Sequence, residues 1–455
     1  MRDLVFDIVE TYSHISFNDI PYETIDYTKK FILDTIGVAL AGTVAPGTKT
    51  IFDLFKSFEK NGENHVIGFK DKLSRLNATF VNSILCHALD FDDTLDDAAM
   101  HCYASVLPAA MTLGEINKIN GKNFITSIIL GVDLACRLGL AVTTPLSWIR
   151  TATCGSFGSA LAAAKVLNLH SNQILNALGI VYSQTSGNAQ CLIDGGLTKR
   201  MQPAFSSKAG VLSAMMAEKG ITGAMEVFEG RYGFFNLYER GLYNREMCIR
   251  DLGKLFYGDR LSIKPYPTCR MTHSSIDAAI EILKKLPSDF DLSDLDKVEI
   301  SVCEMAKDMV GKPFEIRNNP QVDAQFSIPY NVSVVLMKKG APFIEDLSNE
   351  TVVSGKWNKI VEKIEVKADK DIEANNIKSS YMRVILKSGK EFAHQIKAPK
   401  GNPVNPMSWD ECILKFKKCA NSGIVKFSSG DLESIIEQIM KLDKLEDVSF
   451  LFNKI

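Results

Sequence analysis

A chain of 455 residues is long enough for two or three domains. Its 46% hydrophobic content supports a large buried core and excludes a disordered chain. A formal net charge of −2 excludes a global field that would draw nucleic acid or an anionic membrane, so any anionic partner must be a small molecule caught by local lysines and arginines.

Residues 3–14 read as a short amphipathic helix, and Pro21 opens a second that runs to Gly42. Residues 62–72 suit a short hairpin. From about 76 to 250 the pattern is helix after helix: 76–94, 104–117, 122–142, 153–168, 171–187 and 206–220, with apolar residues at spacings of three and four. The most apolar segment, 124–142, is interrupted by Asp133 and Arg137 and is expected to be a buried helix, not a membrane span. Small residues along 155–167 would let helices approach closely. Near 264 the texture changes. A helix at 274–286 is followed by β-like segments at 296–304, 360–369 and 380–396, with one helix expected across 324–340. After the Pro/Gly/Asn stretch 397–406, helical patterns return. The expected fold is mainly α: a large all-helical domain, 1–264 with 404–455, and a smaller α+β lid domain, 265–403.

The ten cysteines, at 86, 102, 136, 154, 191, 248, 269, 303, 412 and 419, include no CxxC pair. That scatter suits reduced thiols in a cytoplasmic protein and argues against a disulfide framework or a zinc or iron–sulfur site. The N-terminus lacks a signal-peptide core.

The stretch 87–115, HALDFDDTLDDAAMHCYASVLPAAMTLGE, carries most of the candidate chemistry. On a helix, His87, Asp90 and Thr94 would share one face. An acidic bend then leads to His101, and Pro108 suits the first turn of the next helix. Imidazole beside carboxylate is what proton transfer near neutral pH requires. The plainer reading of His87 is a satisfied structural residue. The run Asp92, Asp93, Asp96, Asp97 allows a rival: carboxylates holding Mg²⁺ beside a diphosphate. No second acidic motif follows on a later helix, and no metal is expected. Further along, LTKRMQP (197–203) offers Lys199 and Arg200. KPYPTCRMTH (264–273), stiffened by two prolines, offers Lys264, Arg270 and His273. QFSIPYN (325–331) offers Tyr330. Such cations would suit a multiply charged carboxylate and the enediolate formed when a proton leaves the carbon next to it.

These segments, with TATCGSFG, FEGRYGFF and ILDTIGVALAG, stand in the order seen in the MmgE/PrpD family, which the chain resembles over nearly its whole length. The family includes 2-methylcitrate dehydratase, cis-aconitate decarboxylase and iminodisuccinate epimerase. The resemblance implies a homodimer that needs no metal or organic cofactor and acts on a small di- or tricarboxylic acid. It implies His101 as the leading proton donor or acceptor, oriented by Asp90, with Thr94 also lining the pocket. Lys199 and Lys264 would bind substrate carboxylates, and Tyr330 would donate a hydrogen bond. Arg200, Arg270 and His273 are further substrate-binding candidates. The sequence departs from the family pattern at Ile149 and Gln202, where dehydratase and decarboxylase relatives usually carry histidine, and at Ala204 in place of glycine. It also has one extra residue between Thr94 and His101. The expected activity is a cofactor-independent lyase resembling 2-methylcitrate dehydratase. A dicarboxylate isomerase or epimerase and a cis-aconitate-type decarboxylase are the alternatives.

Overall fold

The computed structural model describes residues 2–455 except 146, 318, 376 and 377. It is mainly helical, and among the described residues the strands form a two-stranded and a four-stranded sheet. The chain divides into two compact units, Met1–Ile263 with Ser408–Ile455, and Lys264–Met407.

The first unit is built on helices Tyr22–Gly42, Arg75–His87, Tyr103–Asn117, Gly121–Ala141, Arg150–Val166 and Gln202–Glu218. The hairpin pairs Asn64–Val66 with Phe69–Leu73. Gly121–Ala141 is apolar enough to cross a membrane by composition, but 94% of its apolar window is buried inside the fold. Two of its charges meet there: Arg137 Nε donates to Asp133 Oδ2 at 2.8 Å, and Tyr12 Oη donates to the same oxygen. The rest of the guanidinium is spent on the carbonyls of Cys248, Arg250 and Leu255. A buried pair persists only when its remaining donors are satisfied in this way.

The small residues of 155–167 act as expected. A Cβ on Gly158 would stand 2.5 Å from the Gly131 carbonyl, and one on Gly131 would stand 2.6 Å from the Gly158 carbonyl. The two helices can cross this closely only because both positions lack a side chain. Helix Trp409–Ser422 returns from the far end of the chain and packs on Tyr22–Gly42, with Phe416 against Gly37.

In the second unit the strand order is 364–368, 295–302, 380–386, 391–396, with the first pair parallel and the others antiparallel. Alternation puts Val298, Ile300, Met382 and Val384 on the face covered by helices His273–Leu283 and Ile328–Lys338, through Ile276, Ile282, Val332 and Val335. The opposite face carries charges that pair across strands, such as Arg383 with Glu299 and Lys297 with Glu365.

Three expectations are corrected. The helix expected over 76–94 stops at His87, and Asp90 adopts a left-handed φ of 53°. Carboxylates at a helix C-terminus oppose its dipole, and aspartate tolerates that conformation better than most residues. Pro108 is not in the first turn but inside the helix, which already starts at Tyr103. The Ala104 carbonyl that Pro108 cannot serve accepts from Ser83 Oγ at 2.6 Å instead. The helix expected over 324–340 is two, Pro320–Gln325 and Ile328–Lys338, because Ser327 turns to cap the second by accepting from the Tyr330 amide.

Candidate active site

Since the helix ends at His87, Asp90 and Thr94 do not share its face. They lie on an irregular loop, 88–102, held by its own acids. Asp93 accepts from the amides of Cys102 and Tyr103 at 2.8 and 3.1 Å, and so serves the first turn of the next helix. Asp96 accepts from Ser262 Oγ at 2.9 Å and Asp97 from Arg260 at 2.5 Å. Thr94 and Ser262 exchange two backbone hydrogen bonds. Asp92 accepts from His87 Nδ1 at 2.8 Å. The four carboxylates of the DDxxDD run are thus engaged by donors on separate segments, an arrangement that does not converge on a diphosphate-bound cation.

His101 is positioned from three sides. Its amide donates to Thr151 Oγ1 at 3.0 Å, in the first turn of helix Arg150–Val166. Its Nδ1 lies 2.6 Å from the Asp93 carbonyl oxygen, which can only accept, so Nδ1 carries the proton. Nε2 then holds the lone pair of the neutral ring and is the nitrogen able to take up a proton. The carboxylate beside Nδ1 is that of Asp92, 3.6 Å away, whereas Asp90 forms an ion pair with Lys199. The His87 and His101 rings are 4.7 Å apart. One ligand-type atom from each of His87, Asp92 and His101 falls within 4.8 Å of the others. In the structure these groups are joined by hydrogen bonds, His87 Nδ1 to Asp92 and His101 Nδ1–H to the Asp93 carbonyl.

The electrostatics follow from burial. Burial lowers the basicity of His87, the Asp92 charge opposes this, and the Lys199 ammonium adds to it. Burial together with the Asp92 charge pushes the Asp93 carboxyl well above its ordinary range, although two helix amides pull it down. Asp34, behind the loop, is raised to about 6, chiefly by burial, against the attraction of Lys415 at 2.7 Å. Arg200 is buried, with one nitrogen 3.4 Å from the Pro46 carbonyl.

The positions of the departures have local tasks. Ile149 is buried and precedes helix Arg150–Val166. The Gln202 amide accepts from the Asn188 N–H at 3.0 Å and donates to the Asn188 carbonyl at 2.9 Å. Arg150 donates to the carbonyls of Ala98 and Thr144, and so braces the acidic loop.

Of the expected site residues, Asp90, Thr94, His101, Lys199 and Arg200 belong to the first unit, and Lys264, Arg270, His273 and Tyr330 to the second. Within the second unit Lys264 is buried. Arg270 Nη1 donates to the Lys400 carbonyl at 2.9 Å and lies 3.2 Å from His273 Nδ1. The Tyr330 hydroxyl donates to the Asp346 carbonyl at 2.7 Å, and its ring packs on Phe314 in the core. That geometry gives Tyr330 a structural task. Sequence reasoning underrated two first-unit residues, His87 and Asp92. The signal was present in their spacing of five, which places a helix-terminal imidazole over the loop that follows.

Fold and site together define a class: a mainly helical protein of two units, whose first unit holds a buried histidine–carboxylate group with a lysine–aspartate pair close by. Residues 7–245 match the MmgE/PrpD N-terminal domain and residues 266–441 the MmgE/PrpD C-terminal domain, and the chain belongs to the MmgE/PrpD family. It is similar to the cis-aconitate decarboxylase of Aspergillus terreus, 25% identical over 96% of this chain and 92% of that one. It is also similar to the cis-aconitate decarboxylase of Homo sapiens, 26% identical over 94% and 89%. The cis-aconitate decarboxylase-like protein oryM of Aspergillus oryzae is 24% identical over 95% and 93%.

Proposed function

We propose that the protein is a cofactor-independent lyase acting on a small di- or tricarboxylic acid, with decarboxylation of a cis-aconitate-like acid as the leading reaction. The arrangement of His101, its Nδ1–H on the Asp93 carbonyl and Asp92 beside it, carries this reading. Loss of carbon dioxide leaves an electron pair on the carbon skeleton, delocalised into a neighbouring carboxylate. His101, as imidazolium, donates the Nε2 proton to that carbon, and solvent returns a proton to the ring. Asp92 stabilises the imidazolium. The Lys199 ammonium offsets the charge that develops on the substrate carboxylate. Lys264 is proposed as a second carboxylate-binding cation on the family resemblance alone. The expected assembly is a homodimer, which light scattering in solution tests.

A second reading is favoured by Ile149 and Gln202. With imidazole absent at both, abstraction and return of a single proton would make the protein a dicarboxylate epimerase. Dehydration of a 2-methylcitrate-like acid needs an additional proton donor for the leaving hydroxyl. The test is proton NMR in deuterated water with cis-aconitate, 2-methylcitrate and iminodisuccinate in turn. Carbon dioxide loss with one deuterium incorporated supports the leading reading. Exchange without elimination supports the epimerase. Inertness toward all three overturns both.

A further inference from the structure

His87 has no assigned part in the chemistry above, yet it is fully enclosed and its ring sits against that of His101. Its Nδ1 donates to Asp92 Oδ2 at 2.8 Å, and the same oxygen stands 3.6 Å from His101 Nδ1. One carboxylate oxygen therefore lies between two imidazoles. The groups around them come from five segments. Asp90, Asp92 and Asp93 lie on the loop and Lys199 on the turn Leu197–Met201. His87 and Cys86 end their helix, Asp34 lies on Tyr22–Gly42, and Lys415 lies on Trp409–Ser422. If both imidazoles carried a proton, two cations would share one buried carboxylate. If His87 remains neutral, the charge of Asp92 is left to His101 alone.

We propose that His87 is a positioning residue for His101: its Nδ1–H holds the Asp92 carboxylate against the His101 ring, and His87 itself stays uncharged while His101 takes up and releases its proton. This rests on the reading of His101 as the proton-transfer group. Burial of His87 and the nearby Lys199 ammonium both work against its protonation. Without the donor at His87, Asp92 would lose its orientation and, in so buried a place, would more readily take up a proton itself. His101 would then face a weaker anion and become less basic.

The test reads the ring and not the turnover, so it stands apart from the identity of the substrate. The chain has seven histidines, and the signals of His87 and His101 are assigned by loss in H87N and H101N. In the wild-type protein, His87 is expected not to titrate between pH 5 and 8. His87→Leu is expected to lower the titration midpoint of His101 by ~1 unit, as loss of an opposite charge within 4–6 Å does. His87→Asn, whose amide N–H can occupy the place of Nδ1–H, is expected to restore the wild-type midpoint. Asp92→Asn is expected to lower it as His87→Leu does. Titration of His87 in that range overturns the proposal. So does a His101 midpoint that His87→Leu leaves in place, or one that H87N and H87L shift equally. Should His87→Leu fail to fold, an Asp92→Asn midpoint equal to wild type has the same force.

Discussion

Lys415 reaches from the helix near the end of the chain to the Phe91 carbonyl oxygen, 2.9 Å away, and its ammonium stands 3.8 Å from the centre of the Phe91 ring. The same ammonium pairs with Asp34 at 2.7 Å. Phe91 lies between Asp90 and Asp92, so this one side chain grips the middle of the site loop. Lys415→Met would leave the buried Asp34 carboxylate without its cation. Breaking a buried pair from one side costs about 3–5 kcal/mol, and that loss of unfolding free energy is the expected result in denaturant titration. Adding Asp34→Asn should recover part of it. A single-variant loss below about 1 kcal/mol would contradict the pairing.

Asp34 also predicts a pH dependence. Its folded value of about 6 lies above the ordinary carboxyl value of 3.8, chiefly through burial. Folding therefore favours the neutral acid. The contribution is fully present below about pH 4 and is lost as pH rises through about 6. A shift of about two units corresponds to about 3 kcal/mol. The difference in unfolding free energy, wild type minus Asp34→Asn, should fall by up to that amount between pH 4 and 6.5 and level off above. A rise over the same interval would mean that Lys415 stabilises the carboxylate more than burial penalises it.

His101→Asn tests the proton-transfer role. The asparagine side chain can still donate toward the Asp93 carbonyl, so the loop should keep its shape and the protein its thermal midpoint. It has no basic nitrogen in place of Nε2. A fall in kcat of ~100-fold or more is expected on whichever acid the enzyme accepts. Lys199→Met should lower kcat as well as raise KM, because the cation both binds the carboxylate and offsets its developing charge. A His101→Asn enzyme with kcat within threefold of wild type would move the chemistry elsewhere.

What could be read in advance divides along the range of the interactions. The long helices of the first unit and the strands of the second announce themselves by period, because burial of one face repeats along the chain. The order of the motifs named Asp90, Thr94, His101 and Lys199 as candidates. Their pairing was not legible. Asp92 stands 3.6 Å from His101 Nδ1 and Asp90 pairs with Lys199, an arrangement set where the helix stops at His87 and Asp90 takes a left-handed turn. Lys415 is 324 residues from the carbonyl that it holds, and a contact of that span leaves no periodic trace. Tyr330 looked available beside a helix start, whereas the fold spends its hydroxyl on Asp346.

The acidic loop leads to a prediction about metal. Asp92, Asp93, Asp96 and Asp97 are engaged respectively by His87, two helix amides, Ser262 and Arg260. Dialysis against a chelator should leave turnover unchanged, and added Mg²⁺ or Zn²⁺ should not raise it. Loss of activity on chelation, restored by one divalent ion, would mean that the His87–Asp92–His101 group opens to ligate.

Ser83 and Pro108 make a compensating pair that a double-mutant cycle can isolate. Pro108 has no N–H for the Ala104 carbonyl, and Ser83 Oγ from the neighbouring helix supplies the missing donor at 2.6 Å. Ser83→Ala should leave a buried carbonyl unsatisfied, at a cost of about 1–3 kcal/mol. Pro108→Ala returns the helix's own N–H to that carbonyl, which makes Ser83 redundant. In the Pro108→Ala background the cost of Ser83→Ala should therefore fall to less than half, a coupling that denaturant midpoints can resolve. Strict additivity of the two changes would mean that the serine serves packing alone and that the helix tolerates the proline by some other route.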